Sequence, residues 1–272
     1  MKLLLSFSLI LALAALAFSA PTKGRQSAVV PILDVRSGYL LGGSRGGKWI
    51  SAKNTALALK NGANYRLYSS VRGLGKGRAT APKTEDAPCP DTLWSEISPD
   101  SLRKNAEFAL GGAHNPLPRA LRAENTDQAT YKKVVAAILR KNGIAKPIVQ
   151  ITQLWRVDLD GDGTQEVLLT ATRKADYGDK NSIAPASRAG DYSLLLLRRV
   201  VRGKAQNRVL QGEIYPRAKP FNAPGFYQLA AVLDADGDGK MEFLVRGRYY
   251  EGLWSVLYTS RGDAVLTEGC GA

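Results

Sequence analysis

The chain has 272 residues, 44% of them hydrophobic, with 38 Lys+Arg against 24 Asp+Glu, a net charge of +14, one His and two Cys. A chain of this size buries roughly 70–75% of its unfolded surface, so its core needs no disulfide framework or structural zinc, and disorder throughout is excluded. With only Cys89, Cys270 and His114 to draw on, a Cys/His zinc site and a catalytic centre built on several histidines are excluded too.

Lys2 precedes an apolar run over 3–16, interrupted only by Ser6 and Ser8, and small residues follow. That is the order of a secretory signal peptide, and the run is shorter than the ~20 residues that span hydrocarbon. Pro21 disfavours cleavage after Ala20, so the cut is expected after Ala17 or Ser19, giving a signal over 1–19; an uncleaved anchor is the alternative. No other stretch reaches spanning length. The mature chain is therefore expected to be secreted or periplasmic, with +13 once Lys2 is gone. An oxidising compartment lets Cys89 and Cys270 pair, and neither has another partner to choose. A disulfide is the expectation, two separate buried thiols the alternative.

Region 20–90 is basic and Gly-rich, with β-type runs over 28–33 and 65–71. Gly42-Gly43, Gly46-Gly47 and Asn61-Gly62 punctuate it as hairpins do. Ser44-Arg45-Gly46-Gly47-Lys48 lacks the glycine spacing, and the Ser/Thr after Lys, of a phosphate-binding loop. Residues 73–90, rich in Gly, Lys, Pro and Thr, read as a linker or long surface loop.

Region 91–147 is the helical segment. Tyr131, Val134, Val135, Ile138 and Leu139 fall on one face of a 3.6-residue period. Thr126 or Asp127 suits the cap of that helix, and Arg140, Lys141 and then Gly143 suit its end. A shorter helix is expected from Ser98 with Pro99 at its first position. His114 sits in a Gly-Gly-Ala-His-Asn-Pro turn and reads as a loop residue.

Region 148–272 is strand-rich. Strands over 148–157 and 166–172 flank one acidic loop, and 228–233 and 242–245 flank another; between them come 192–201, with a continuous apolar run at 194–197, and 209–215. Residues 178–190 read as a long surface loop. The expected class is mainly β (α+β overall): an antiparallel β domain with two acidic-loop hairpins, a small β-rich N-terminal region and one or two helices.

The acidic loops carry the chemistry. One runs Asp158-Leu159-Asp160-Gly161-Asp162-Gly163-Thr164-Gln165-Glu166, the other Asp234-Ala235-Asp236-Gly237-Asp238-Gly239-Lys240-Met241-Glu242. Carboxylates recur at positions 1, 3, 5 and 9, with Gly at 4 and 6. Four carboxylates within nine residues repel unless a cation sits among them, and Ca²⁺ takes six to eight oxygens. Glycine at position 6 permits the turn that aims the position 7 carbonyl inward. An EF-hand needs a bidentate Glu at position 12 and flanking helices; here position 12 is Leu169 or Val245 and the flanks are strands, which excludes it.

The loops resemble the calcium loop of FG-GAP or VCBS-type repeats of the integrin alpha kind, where such a segment joins neighbouring antiparallel strands. The resemblance implies Ca²⁺ at two sites. Asp158, Asp160, Asp162 and Glu166 would be side-chain ligands with the Thr164 carbonyl, and Asp234, Asp236, Asp238 and Glu242 with the Lys240 carbonyl. It covers the loops and their flanking strands and leaves everything before Ile148 unmatched. Glu stands where Asp is commoner at the last ligand, the Phe-Gly and Gly-Ala-Pro signature is not evident, and two copies stop short of a propeller, which needs at least about four blades.

Three functional classes follow. The first, which the sequence favours, is an exported, non-enzymatic calcium-binding module that contacts an envelope polymer or another protein. The second is an exported hydrolase with calcium as a structural ion, using carboxylates such as Asp176, Asp179, Glu213 and Glu251 under a 178–190 lid. The third is a basic binder of polyanions or a membrane surface. Nucleic acid fits poorly, because an exported chain rarely meets it and the basic residues, such as Arg66, Arg72, Lys76 and Arg78, then Arg119 and Arg122, are dispersed.

Overall fold

The structure is a computed structural model that describes residues 28–84, 86–174 and 185–271. The signal peptide, Asp176, Asp179 and the first part of the 178–190 loop lie outside the described residues.

Along the chain come β1 (Val30–Asp34), β2 (Leu40–Arg45), β3 (Lys48–Ser51), α1 (Ala52–Ala56), β4 (Ala63–Tyr68) and β5 (Gly73–Ala79). Short pieces follow: β6 (Lys83–Thr84), β7 (Leu93–Trp94), β8 (Ile97–Ser98), α2 (Asp100–Arg103), β9 (Phe108–Leu110) and β10 (Arg122–Ala123). The longer elements are α3 (Ala129–Lys141), β11 (Ile151–Val157), β12 (Glu166–Arg173), β13 (Asp191–Val201), β14 (Lys204–Tyr215), β15 (Phe226–Leu233), β16 (Glu242–Tyr249), β17 (Gly252–Tyr258) and β18 (Ala264–Gly271). The fold is mainly antiparallel β with few helices. Its first sheet has the order β3-β2-β1-β9-β4-β5-β8; the second, β10-β11-β12-β13-β14, and the third, β15-β16-β17-β18, are meanders apart from small additions.

Strand alternation stacks these sheets. On β16, Phe243 and Val245 pack with Leu195 and Leu197 of the second sheet, while Leu244 joins Ile32, Leu41 and Phe108 of the first. Successive side chains point to opposite faces, so the third sheet is buried on both sides. The Leu194–Leu197 stretch splits the same way: Leu195 and Leu197 face the third sheet, and Leu194 and Leu196 face Tyr131, Val135 and Leu139 of α3. All four leucines are essentially fully buried, each contributing about 1.5–3 kcal/mol. The layers run first sheet, third sheet, second sheet, helix.

Local readings change in three places. Helix α3 starts after Gln128, with no side-chain cap from Thr126 or Asp127, although Tyr131, Val135 and Leu139 are its buried face as the period requires. Helix α2 begins at Asp100 with Pro99 as its N-cap. The 73–90 stretch is not all linker: β5 pairs with β4 and β8. Its glycines serve close approach, since a Cβ at Gly77 would stand 2.6 Å from both Leu67 Cδ1 and Ser98 O. Cys89 and Cys270 form a disulfide that ties the loop before β7 to β18. Within 91–147, β9 joins the first sheet and α3 covers the second.

Candidate metal centres

Each acidic loop is the connection of an antiparallel hairpin, closed by Val157 opposite Glu166 on β11 and β12, and by Leu233 opposite Glu242 on β15 and β16. The carboxylates hold the loop backbone. Asp158 Oδ1 and Oδ2 accept from the amides of Gly161 (2.7 Å) and Gly163 (3.1 Å). Asp234 does the same for Gly237 (2.7 Å) and Gly239 (3.0 Å). Glu166 Oε2 accepts from Leu159 N at 2.8 Å, and Glu242 Oε2 from Ala235 N at 2.9 Å. Gly163 and Gly239 hold φ values of +86° and +84°, a region costly for any residue with a Cβ.

This bonding gathers three carboxylates in each loop. One oxygen from each of Asp158, Asp160 and Glu166 lies within 4.8 Å of the others, and the same is true of Asp234, Asp236 and Glu242. These are the residues at positions 1, 3 and 9, and each trio can hold a metal ion. At position 5 the side chains turn onto their own loops: Asp162 Oδ1 accepts from Thr164 N (2.6 Å) and Asp238 Oδ1 from Lys240 N (2.7 Å). Burial pushes the Glu166 carboxyl up, and it pushes Glu242 to about 8, with Asp236, Asp238 and Asp234 adding to the rise against the Ala235 hydrogen bond. Burial raises Asp236 as well. Carboxylates crowded and withdrawn from water in this way favour a hard cation.

The two centres differ in their neighbours, which the sequence did not reveal. Arg199 Nη2 donates to Asp160 Oδ2 at 2.8 Å, while Asp160 Oδ1 is buried with no hydrogen-bond partner. Asp236 makes no ion pair among the described residues. The loops also touch: Met241 N donates to Leu159 O at 2.7 Å. Across them runs the segment 114–119. His114 Nε2 donates to Asp234 O (2.9 Å) and Asp234 N donates to Pro116 O (2.8 Å). Arg119 donates from Nε to Asp158 O (2.5 Å) and from Nη2 to Leu159 O (3.1 Å) and Gly239 O (2.8 Å), so one guanidinium holds both loops. No spacing rule links Arg119, His114 or Arg199 to the acidic runs.

A separate cavity of 740 Å³ lies between the second and third sheets beside the turn after β1, lined by Arg36, Gln153, Lys174, Phe226, Arg246 and Arg248 among others. Glu213 and Glu251 are not in its lining. Glu213 instead accepts from Tyr215 Oη and from Gly225 N.

The fold and these centres define an antiparallel β protein with two acidic hairpin loops, each able to hold a metal ion. No family model, curated protein or solved structure matches the chain.

Proposed function

We propose that this chain is an exported calcium-binding protein of the FG-GAP or VCBS-like kind, a non-enzymatic module whose two calcium loops brace the junction between the second and third sheets. The observation that carries the reading is the pair of alike carboxylate trios at equivalent hairpins. Three anionic oxygens per trio are hard donors of the type Ca²⁺ selects, and the Asp162, Asp238, Thr164 and Lys240 positions supply further oxygens in the resembled pattern. The ion would neutralise carboxylates that otherwise repel at a buried junction, and the partner would be an envelope polymer or another protein meeting the remaining surface.

Calcium titration of the full chain by calorimetry tests this. Two sites are expected in the 10⁻⁴–10⁻³ M range of extracellular modules. At millimolar calcium, mass action then adds about 1 kcal/mol per site, so melts in calcium should exceed those in chelator by about 5 °C for two sites. Identical melts and no binding heat would overturn the reading.

A further inference from the structure

The first sheet gathers cations that the sequence scatters. Arg66 on β4 is registered directly opposite Lys76 on β5, and Asn64 directly opposite Arg78. Residues opposite one another, and those two apart on one strand, share a face. Arg66, Lys76 and Arg78 accordingly line one groove of 680 Å³, floored in part by Gly77 and Gly111. No carboxylate is in its lining, and none of the three cations makes an ion pair among the described residues.

Like charges directly opposite on a sheet are destabilising. Here the repulsion comes with guanidinium groups already aimed: Arg66 Nη1 donates to Ala113 O at 2.8 Å, and Arg78 Nη2 to Asn61 O at 3.0 Å. One backbone contact apiece leaves each Arg with further N–H donors, and Lys76 with its ammonium. The larger cavity differs in part, because two of its four cations, Arg36 and Arg246, are spent on Glu107 and Asp34.

We infer that the β4–β5 groove binds a chain of phosphate groups, whose negative charge offsets the Arg66–Lys76 repulsion. Planar guanidinium donors match phosphate oxygens bidentately, and three cations in one groove suit a polyvalent anion over a single carboxylate. A bilayer is the poorer fit. Tyr65 and Leu110 of the lining are buried, and none of the exposed large apolar side chains lines the groove, so nothing there would insert among acyl chains. The inference stands apart from the calcium reading, since it involves another sheet and other residues.

The test titrates the full chain with tripolyphosphate by calorimetry, in low salt without divalent cations, and in parallel with phosphatidylglycerol vesicles. Saturable tripolyphosphate binding that weakens with salt is expected. Lys76→Glu should weaken it about tenfold or more. The same variant should melt about 1–4 °C higher without tripolyphosphate, because Arg66 gains an opposite charge across the strands. A generally damaged fold would lose both binding and stability, so the opposed signs separate the two causes. If Lys76→Glu does not fold, Lys76→Gln and Arg78→Gln carry the binding arm. Absence of tripolyphosphate binding, binding indifferent to these substitutions, or binding to vesicles alone would each overturn the inference.

Discussion

Asp160 and Asp236 hold the same place in their loops, yet Arg199 neutralises the first, while the second faces Asp234 and Asp238 and makes no ion pair among the described residues. In chelator, Asp160→Ala should therefore lower stability by about 1 kcal/mol through the lost ion pair, whereas Asp236→Ala should leave it unchanged or raise it. In calcium both should fall below the parent, and urea unfolding under the two conditions checks the contrast. Gly163→Val and Gly239→Val belong to another class. A Cβ at either position meets nothing within 4 Å, so their cost is backbone strain of at least about 1–2 kcal/mol, present with or without metal. Glu242 supplies a pH signature. Burial raises its folded pKa to about 8 from an ordinary 4.5, so over that range the folded state holds a proton that the unfolded chain has lost. Without metal, stability should then fall as pH rises from about 4.5 to about 8 and level off above. Urea midpoints in chelator should show this decline, and millimolar calcium should reduce it by stabilising the ionised form. A flat profile in chelator would contradict the burial of this carboxyl.

Among the elements, the two hairpin loops share four equivalent hydrogen bonds, and Arg119 joins them from a segment outside both. Arg119→Ala removes donors to three carbonyls and should destabilise the chain by about 1–3 kcal/mol. On the proposed function it should also weaken calcium binding at both metal centres, whereas Arg199→Ala should alter the first alone; calorimetric titration of the two variants separates these outcomes. Arg119→Lys should rescue poorly, because an ammonium cannot reproduce the planar fork that spans two loops. Elements with a strong period were legible. The buried face of α3 came directly from its apolar spacing, and the strands flanking each acidic loop came from their apolar runs. Strand β5 escaped because glycines that permit close strand packing look the same in sequence as glycines that free a linker. Strands β17 and β18 escaped because Gly252, Trp254, Ser255 and Gly269 break the alternation that marks a strand.

At the scale of the whole molecule, one ionic cluster joins the first and third sheets. Asp34 is fully buried and accepts from Arg246 Nε and Nη2 and from Ser255, while Arg246 Nη1 reaches Glu107. Arg246→Met would leave the Asp34 charge buried without its partner, at a cost of about 3–5 kcal/mol. Removing both charges in Asp34→Leu/Arg246→Met should recover most of that loss. Denaturant midpoints of the single and double variants test the prediction; equal losses in the two would mean that packing, not charge, holds this junction.

The sequence by itself determined the antiparallel β class, the acidic nine-residue repeats, the face of α3 and the only cysteine pair available, because these depend on local periodicity, on residue chemistry at short spacing or on the absence of alternatives. Tertiary structure alone decided that the disulfide closes, that the two loops touch and share Arg119, that Arg199 guards one centre and not the other, and that Arg66, Lys76 and Arg78 stand on one face. Each of these joins residues on different strands or loops, and which side chains meet there is set by strand register and sheet stacking. Register follows from how whole faces pack, a property that no short window of sequence contains.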